Sequence, residues 1–183
     1  IGKNKGFDYS RGTNPTRERL EKNIASLEGG YDAIAFASGM AATTALFQSL
    51  KQGDHVIISR NVYGGTYRMA TQILSNHGLK FDFVNTTNIQ NIKGAIKPET
   101  KWIFIETPTN PMLEITDIKA VSQICQDHNI KFAVDNTFMS PYGQRPLDYG
   151  ADCVMHSSTK FIGGHSDVLG GVLVAKDKEL ADR

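Results

Sequence analysis

The sequence is poor in cysteine, has no excess of charge of either sign and contains no apolar run long enough to cross a membrane. Its 183 residues hold 20 lysines and arginines, 19 aspartates and glutamates, and 2 cysteines. Without a basic stripe or a charge block, binding to nucleic acid or to a membrane has no electrostatic support, so neither is expected as a partner. Cys125 and Cys153 lie in a helix pattern and a strand pattern, which predicts buried free thiols in a reducing compartment and hence a cytoplasmic protein.

Several motifs of common ligand sites are also missing. No GxGxxG follows a strand candidate and no Walker lysine motif occurs, which argues against dinucleotide and nucleoside triphosphate sites. His156 and His165 lack the spacing of metal ligands and the two cysteines stand apart, so no metal site is predicted. The chain starts at Ile1 without a methionine and stops inside a helical pattern, so we expect an excerpt of a longer protein.

Short apolar runs alternate with amphipathic stretches along almost the whole chain. Most of the runs are apolar on both faces, as in strands that helices cover on two sides. The alternation predicts one α/β domain over residues 1–183, with a mostly parallel seven-stranded sheet sandwiched by helices. The strand candidates are 33–37, 55–59, 80–84, 102–106, 132–135, 153–156 and 171–175. The helix candidates run from 15 to about 28 with Asn14 as N-cap, over 40–50 and 63–77, and onward from a cap at Thr116.

In a sheet of this kind the ligand lies beyond the carboxyl ends of the strands, so the residues there decide the function. The turn after the first strand carries Ser38, Gly39 and Met40 at the start of a helix, where free backbone N–H groups bind phosphate. An ordinary N-cap at Ser38 is the alternative. Asp135 ends a buried strand and needs a partner, which is either the protonated nitrogen of a heterocycle, an arginine or a helix N-terminus.

Two further loops carry residues suited to a flat ligand. Tyr63 stands beside Gly64 and Gly65, which clear space for its ring to lie against a cofactor, although a loop aromatic is the simpler interpretation. The segment from Glu106 to Pro111 has two prolines that fix its shape, so Asn110 is either held for a ligand or forms an Asx-turn.

Lys160 follows the hydroxyls of Ser157 and Thr159 at the end of a strand candidate. A lysine delivered to the end of a buried strand can be desolvated and form a Schiff base, and the two hydroxyls suit a phosphate, although alone it would be taken for a surface lysine. Near the start, Tyr9 and Arg11 offer a hydroxyl and a planar fork for phosphate, and they are expected to reach a neighbouring subunit's site. Together these features indicate pyridoxal 5'-phosphate chemistry.

Six segments in this order resemble the Cys/Met-metabolism pyridoxal phosphate enzymes, a family of cystathionine γ-synthases, cystathionine γ- and β-lyases, methionine γ-lyases and O-acylhomoserine sulfhydrylases. The resemblance covers essentially the whole chain. The segments are Tyr9-Ser10-Arg11 with Asn14-Pro15-Thr16, Ala37-Ser38-Gly39-Met40, Tyr63-Gly64-Gly65, Glu106-Thr107-Pro108-Thr109-Asn110-Pro111, Val134-Asp135-Asn136-Thr137-Phe138, and the run from Ser157 to Asp167.

The resemblance implies a role for each of the candidate residues. Lys160 would hold the cofactor and then shuttle a proton, Asp135 would pair with the ring nitrogen, and Tyr63 would stack on the ring and assist proton transfer. Asn110 would lie near the cofactor's phenolic oxygen and the substrate carboxylate. The phosphate would be bound by Gly39, Met40, Ser157 and Thr159, with Tyr9 and Arg11 supplied by the adjacent subunit of a homodimer that assembles into a homotetramer.

The family also implies a large domain with a short N-terminal arm, about residues 1–13, and a smaller C-terminal domain that is absent here. Methionine γ-lyases typically carry a cysteine where Gly65 stands, which argues against that activity. The segments Phe138-Met139-Ser140-Pro141-Tyr142 and Gly164-His165-Ser166-Asp167-Val168 look most like the cystathionine γ-synthase and γ-lyase branch. The expected reaction is therefore elimination or replacement at the γ-carbon of cystathionine or an O-acylated homoserine, with β-elimination and a catalytically inactive relative as alternatives.

Overall fold

A computed structural model describes residues 6–182 of the chain, so the first five residues of the expected N-terminal arm, and Arg183, lie outside the described part. Seven strands form one sheet in the order β1-β7-β6-β5-β4-β2-β3. Strands β6, β5, β4, β2 and β3 are parallel neighbours, whereas β7 runs antiparallel to both β1 and β6. The strands are β1 (Asp32–Phe36), β2 (His55–Ser59), β3 (Lys80–Val84), β4 (Thr100–Glu106), β5 (Lys131–Asp135), β6 (Cys153–His156) and β7 (Gly171–Ala175).

The helices cover both faces of this sheet, and the predicted mostly parallel α/β sandwich is confirmed. They are α1 (Pro15–Glu28), α2 (Gly39–Gln48), α3 (Gly64–Arg68), α4 (Ile89–Ala95), α5 (Ile118–His128), α6 (Ser140–Gly143) and α7 (Lys178–Ala181). A π-turn (Met69–Ile73) and a 3-10 turn (Leu74–His77) follow α3, and a second 3-10 turn (Pro146–Tyr149) precedes β6. None of the helices within residues 6–182 combines the length and the apolar character that crossing a membrane requires.

Helix boundaries follow the capping chemistry, with one correction to the sequence prediction. Asn14 caps α1 as expected, because its side-chain oxygen accepts from the N–H groups of Thr16 and Arg17. The predicted cap at Thr116 is wrong. Asp117 is the N-cap of α5 and accepts from the backbone N–H of Ala120, whereas the hydroxyl of Thr116 hydrogen-bonds to Thr86.

The alternation of side chains along the strands produces two cores. The face covered by α1, α4 and α5, here called the α1 face, buries Ile103, Ile105 and Val134. The face covered by α2 and the turns after α3, here called the α2 face, buries Phe104, Ala133 and Met155. Cys125 lies in the first core and Cys153 in the second, and both are free and buried, as predicted.

Candidate active site

A pocket opens on the α2 face at the carboxyl ends of β4, β5 and β6, where the parallel sheet predicts a ligand. Polar groups from separate loops converge on it, and the N-terminus of α2 closes one side. The sequence-predicted residues that line it are Gly39, Met40, Tyr63, Asn110, Asp135, Ser157, Thr159 and Lys160.

The turn at Ser38 was interpreted either as a phosphate site or as an ordinary N-cap, and the N-terminus of α2 has the features of both. The Ser38 hydroxyl caps the helix by accepting from the N–H of Ala41, 3.1 Å away. The first intrahelical bond runs from Ala42 N to Ser38 O, so the N–H groups of Gly39 and Met40 precede it and remain for an anion. A Cβ on Gly39 would lie 2.7 Å from the Cβ of Ser157, so only glycine lets this turn approach the end of β6.

Asp135 lines the pocket and is 5% exposed. Its Oδ1 accepts two hydrogen bonds from Thr137, one from the backbone N–H at 3.0 Å and one from the hydroxyl at 2.6 Å. Burial raises the pKa of Asp135, and the Thr137 hydrogen bonds and nearby His156 oppose that rise. Within residues 6–182, Asp135 is therefore hydrogen-bonded by a neutral hydroxyl and an N–H and forms no ion pair with an arginine, so a cationic ring nitrogen would supply the missing charge.

Glu106, like Thr137, is a pocket residue to which the sequence analysis assigned no role. It ends β4 as Asp135 ends β5, is 6% exposed, and accepts from the backbone N–H of Tyr63 at 2.7 Å and of Asn110 at 2.9 Å. One carboxyl group thus ties together the loops after β2 and β4. Burial, and then the charge of Asp135, raise the pKa of Glu106 to about 7. The signal was visible in the sequence as an acidic residue directly after a long apolar run.

Tyr63 is held at the mouth of the pocket by its glycine neighbour. Tyr63 is 48% exposed and lines the pocket, so part of its surface remains accessible to a ligand there. A Cβ on Gly65 would lie 2.5 Å from the Tyr63 ring and 2.9 Å from the sulfur of Met40. Of the two glycines, Gly65 is the one that leaves space for the tyrosine. The missing side chain at Gly65 allows the Tyr63 ring to occupy its present position.

Lys160 lies on a turn four residues beyond the end of β6 and lines the pocket, but its side chain is exposed, contrary to the expected desolvation by a buried strand. The Thr159 hydroxyl is already engaged, because it donates to Gly170 O at 3.2 Å and accepts from Gly170 N at 3.1 Å. These two bonds close the base of the loop that carries Lys160. Because its single hydroxyl proton is donated to Gly170, Thr159 shapes this loop, and its role in binding phosphate stays a prediction.

Tyr9 and Arg11 are the two candidates that the structure leaves outside the pocket. Both are exposed, and the Arg11 guanidinium lies 5.1 Å from the centre of the Tyr9 ring. Their position on the exposed segment before α1 is compatible with the expected reach to a neighbouring subunit.

The donor set fits pyridoxal phosphate at both ends. Free N–H groups at α2 and the hydroxyl of Ser157 suit the phosphate, and the buried carboxylate of Asp135 suits a protonated ring nitrogen. Lys160 lines the same pocket and carries the primary amine that the cofactor's aldehyde requires. The fold and the site therefore define the class of the chain, an α/β enzyme domain of the kind that binds pyridoxal phosphate.

Comparison with known proteins identifies the family. The model of the Cys/Met metabolism PLP-dependent enzymes matches residues 1–183, and the chain belongs to that family. It is 48% identical over 183 residues to a probable cystathionine gamma-synthase of Herpetosiphon aurantiacus, covering all of this chain and 57% of that protein. It is 53% identical over 174 residues to cystathionine beta-lyase MetC of Bacillus subtilis, covering 95% of this chain and 45% of that protein.

A solved structure supports the same family assignment. Cystathionine gamma-lyase from Lactobacillus plantarum, complexed with L-serine, superposes with a TM-score of 0.96 at 47% identity and covers all of this chain and 48% of that one. The resemblance predicted from the sequence is thereby confirmed at the level of the family, its fold and its cofactor. The chain spans about half the length of the relatives that it matches.

Proposed function

We propose that the protein to which this chain belongs is a pyridoxal phosphate enzyme that acts on sulfur-containing or O-acylated amino acids, by elimination or replacement at the γ-carbon. The observation that carries the proposal is the convergence of Asp135, Lys160 and the N-terminus of α2 in one pocket. The names of the relatives support it, since they include a probable cystathionine gamma-synthase and a cystathionine gamma-lyase.

Each pocket residue has a defined task in this proposal. Bound pyridoxal phosphate supplies an electron sink for the carbanion that forms when a substrate loses its α-proton. Lys160, which lines the pocket, would hold the cofactor through Nζ and would afterwards take and return protons at that atom. Asp135 keeps the ring nitrogen protonated, because a buried anion favours a cation beside it.

The remaining residues bind and orient. The N–H groups of Gly39 and Met40, with the hydroxyls of Ser157 and Thr159, hold the phosphate end. Tyr63 covers one ring face and assists proton transfer, and Asn110 meets the phenolic oxygen and the substrate carboxylate. Glu106 keeps Tyr63 and Asn110 in place through their backbone N–H groups.

The exposed position of Tyr9 and Arg11 supports a proposal about the assembly. We propose that these exposed residues complete the phosphate site of an adjacent subunit, in a homodimer that pairs into a homotetramer. Residues 1–183 would then be the large, cofactor-binding domain with its N-terminal arm, and a smaller C-terminal domain would supply the grip on the substrate carboxylate.

A second candidate reaction is β-elimination from cystathionine. It is favoured by the 53% identity to a cystathionine beta-lyase, which exceeds the identity to the probable gamma-synthase. The residues described here serve both reactions, because each begins with removal of the α-proton by the same lysine.

The decisive experiment is covalent trapping of the cofactor in the full-length protein. We expect a yellow protein that borohydride reduction fixes to its cofactor, with the label mapped by peptide mass spectrometry to Lys160 and lost in Lys160→Ala. A colourless protein, or a label on another lysine, contradicts the proposal. Incubation with cystathionine, or with an O-acylhomoserine plus cysteine, then assigns the reaction, since cysteine, homocysteine and cystathionine are distinct products.

A further inference from the structure

Beneath the pocket, on the α1 face of the sheet, lies a buried polar network that the proposed reaction does not use. Glu28, at the end of α1, is fully buried, and its Oε1 lies 2.5 Å from Nε2 of His156. The same oxygen accepts from Nδ2 of Asn136 at 2.8 Å. His156 and Asn136 are also fully buried, so three polar side chains are enclosed in an otherwise apolar layer.

The network continues to the end of a third strand through Gln144. Asn136 Nδ2 donates to Gln144 O at 2.9 Å, and Gln144 Nε2 donates to Asn136 Oδ1 at the same distance. Gln144 Nε2 also donates to the backbone oxygen of Thr107 at 2.9 Å. A helix is thus linked to the residues that end or follow β6, β5 and β4.

Each strand-end member of this network is the immediate chain neighbour of a pocket residue. Successive side chains of a strand point to opposite faces, so the residue beside each network member faces the pocket. The pairs of neighbours are Glu106 with Thr107, Asp135 with Asn136, and Ser157 with His156. Glu106, Asp135 and Ser157 all line the pocket on the α2 face.

We propose that the network of Glu28, Asn136, Gln144 and His156 is a positioning layer that fixes the separation between Asp135 and Ser157. This inference rests on the proposed function, in which Asp135 holds the ring nitrogen and Ser157 the phosphate of one rigid cofactor. A ligand gripped at two ends binds tightly only if the grips are correctly spaced, because the second contact is then intramolecular. On the pocket side, Thr137 adds a link of the same kind by bonding both Asp135 Oδ1 and Ser157 N.

An apolar filling of the same space would stabilise the fold without such a link. Burying several polar groups costs free energy unless each is paired, and one oxygen of Glu28 and Nδ1 of His156 have no hydrogen-bond partner among the described residues. The network therefore contributes less stability than an apolar core would, but its directional hydrogen bonds hold the ends of β4, β5 and β6 at fixed positions relative to one another.

The test measures the affinity of the full-length protein for pyridoxal phosphate and, separately, for pyridoxal and for inorganic phosphate, which represent the two ends of the cofactor. Asn136→Ala removes the bridge between Glu28 and Gln144. We expect it to weaken the affinity for pyridoxal phosphate about tenfold, and to change the affinities for pyridoxal and for inorganic phosphate by less than about threefold each. Only a change in spacing produces that pattern, since damage to either grip would weaken the corresponding half.

Thr100→Val is the matched control, because it removes a buried hydrogen bond to the buried His55 at the opposite end of β4. It should lower the melting temperature of the cofactor-free protein and leave all three affinities unchanged. Glu28→Gln keeps an acceptor oxygen for His156 and Asn136 and should retain most of the wild-type affinity. Gln144→Ala, which alters a half-buried residue, should repeat the pattern of Asn136→Ala and decides the matter if that variant does not fold.

Unchanged affinity for pyridoxal phosphate in Gln144→Ala and Asn136→Ala would overturn the positioning layer, as would an equal loss for pyridoxal phosphate and both halves. Either result leaves the proposed function intact, because wild-type protein would still bind the cofactor at Lys160. Failure of the wild-type protein to bind pyridoxal phosphate is a separate outcome that removes the proposed function and this inference together.

Discussion

Oε2 of Glu106 accepts a 2.7 Å hydrogen bond from the backbone N–H of Tyr63, and its other oxygen accepts from Asn110. An amide has a single acceptor oxygen, so Glu106→Gln leaves one of these N–H groups facing an NH2 group. We expect the dissociation constant of pyridoxal phosphate to rise about tenfold, the equivalent of one hydrogen bond. Glu99→Gln, which alters a half-buried carboxyl paired with Lys80 at the amino end of β4, serves as the control. Equal dissociation constants in the wild type and Glu106→Gln would show that the two bonds do not position Tyr63.

The same carboxyl should make the stability of the cofactor-free protein depend on pH. Its pKa is raised from 4.5 to about 7 on folding, so the folded state binds the extra proton between these values. The stabilisation is complete below about pH 4.5 and is lost as the pH rises through about 7. Urea unfolding at intervals between these pH values should therefore show a steeper decline in the wild type than in Glu106→Gln. Parallel pH profiles for the two proteins would contradict the raised pKa.

The two glycines after Tyr63 should respond differently to the same substitution. A Cβ at Gly65 meets the Tyr63 ring at 2.5 Å, whereas a Cβ at Gly64 meets only the far end of Arg68 at 3.3 Å. We expect Gly65→Ala to displace the Tyr63 ring and to shift the absorbance band of the bound cofactor. It should lower kcat by a larger factor than it changes KM. Gly64→Ala should leave the absorbance band and the kinetic constants unchanged. An identical effect of the two substitutions would mean that the close approach of Gly65 has no functional role.

Thr137 should matter through its hydroxyl, which donates to Asp135 Oδ1 at 2.6 Å and accepts from the backbone N–H of Ser157 at 2.8 Å. Thr137→Val removes a hydrogen bond to the charged form of Asp135, so the already raised pKa of that carboxyl rises further. Cofactor affinity should fall, and fall most at low pH, because more of the carboxyl is then protonated. Titration with pyridoxal phosphate across pH measures this. Thr137→Ser keeps the hydroxyl and should restore the wild-type profile.

The two cysteines should be unreactive in the folded protein. Burial raises the pKa of Cys125 and of Cys153 to about 12, and only a thiolate reacts readily with thiol reagents. Labelling with a disulfide reagent at pH 8 should be slow in native conditions and rapid in denaturant. Fast stoichiometric labelling of the native protein would contradict the buried positions of these residues.

The sequence predicted the strands well because most are short apolar runs, and the inner strands β2, β5 and β6 are buried on both faces. It did not predict α4, whose seven residues include a glycine and carry little periodic signal. It also did not show that β7 runs antiparallel, because the order and direction of strands depend on contacts between distant segments.

Part of the candidate site could likewise be predicted from the sequence, and part depended on the folded structure. Asp135, Gly39 and Lys160 could be found because each occupies a strand end or helix start where a core has no need of such a residue. Glu106 stands in the same kind of position but was overlooked beside Asn110 in one motif. The contact between Glu28 and His156 spans 128 positions, and only the folded chain brings the two together.

The alternation of faces at the end of β5 has a consequence for folding errors. A one-residue slip of this strand against its neighbours would turn Asp135 to the α1 face and Asn136 to the α2 face. The carboxylate would then be buried in the core on the same face as Glu28, without a cationic partner, and an amide that cannot neutralise a cation would face the pocket. A misregistered molecule would thus be unstable and inactive for the same reason. Quality control that removes unstable chains would also remove the non-functional ones, without any need to sense catalysis.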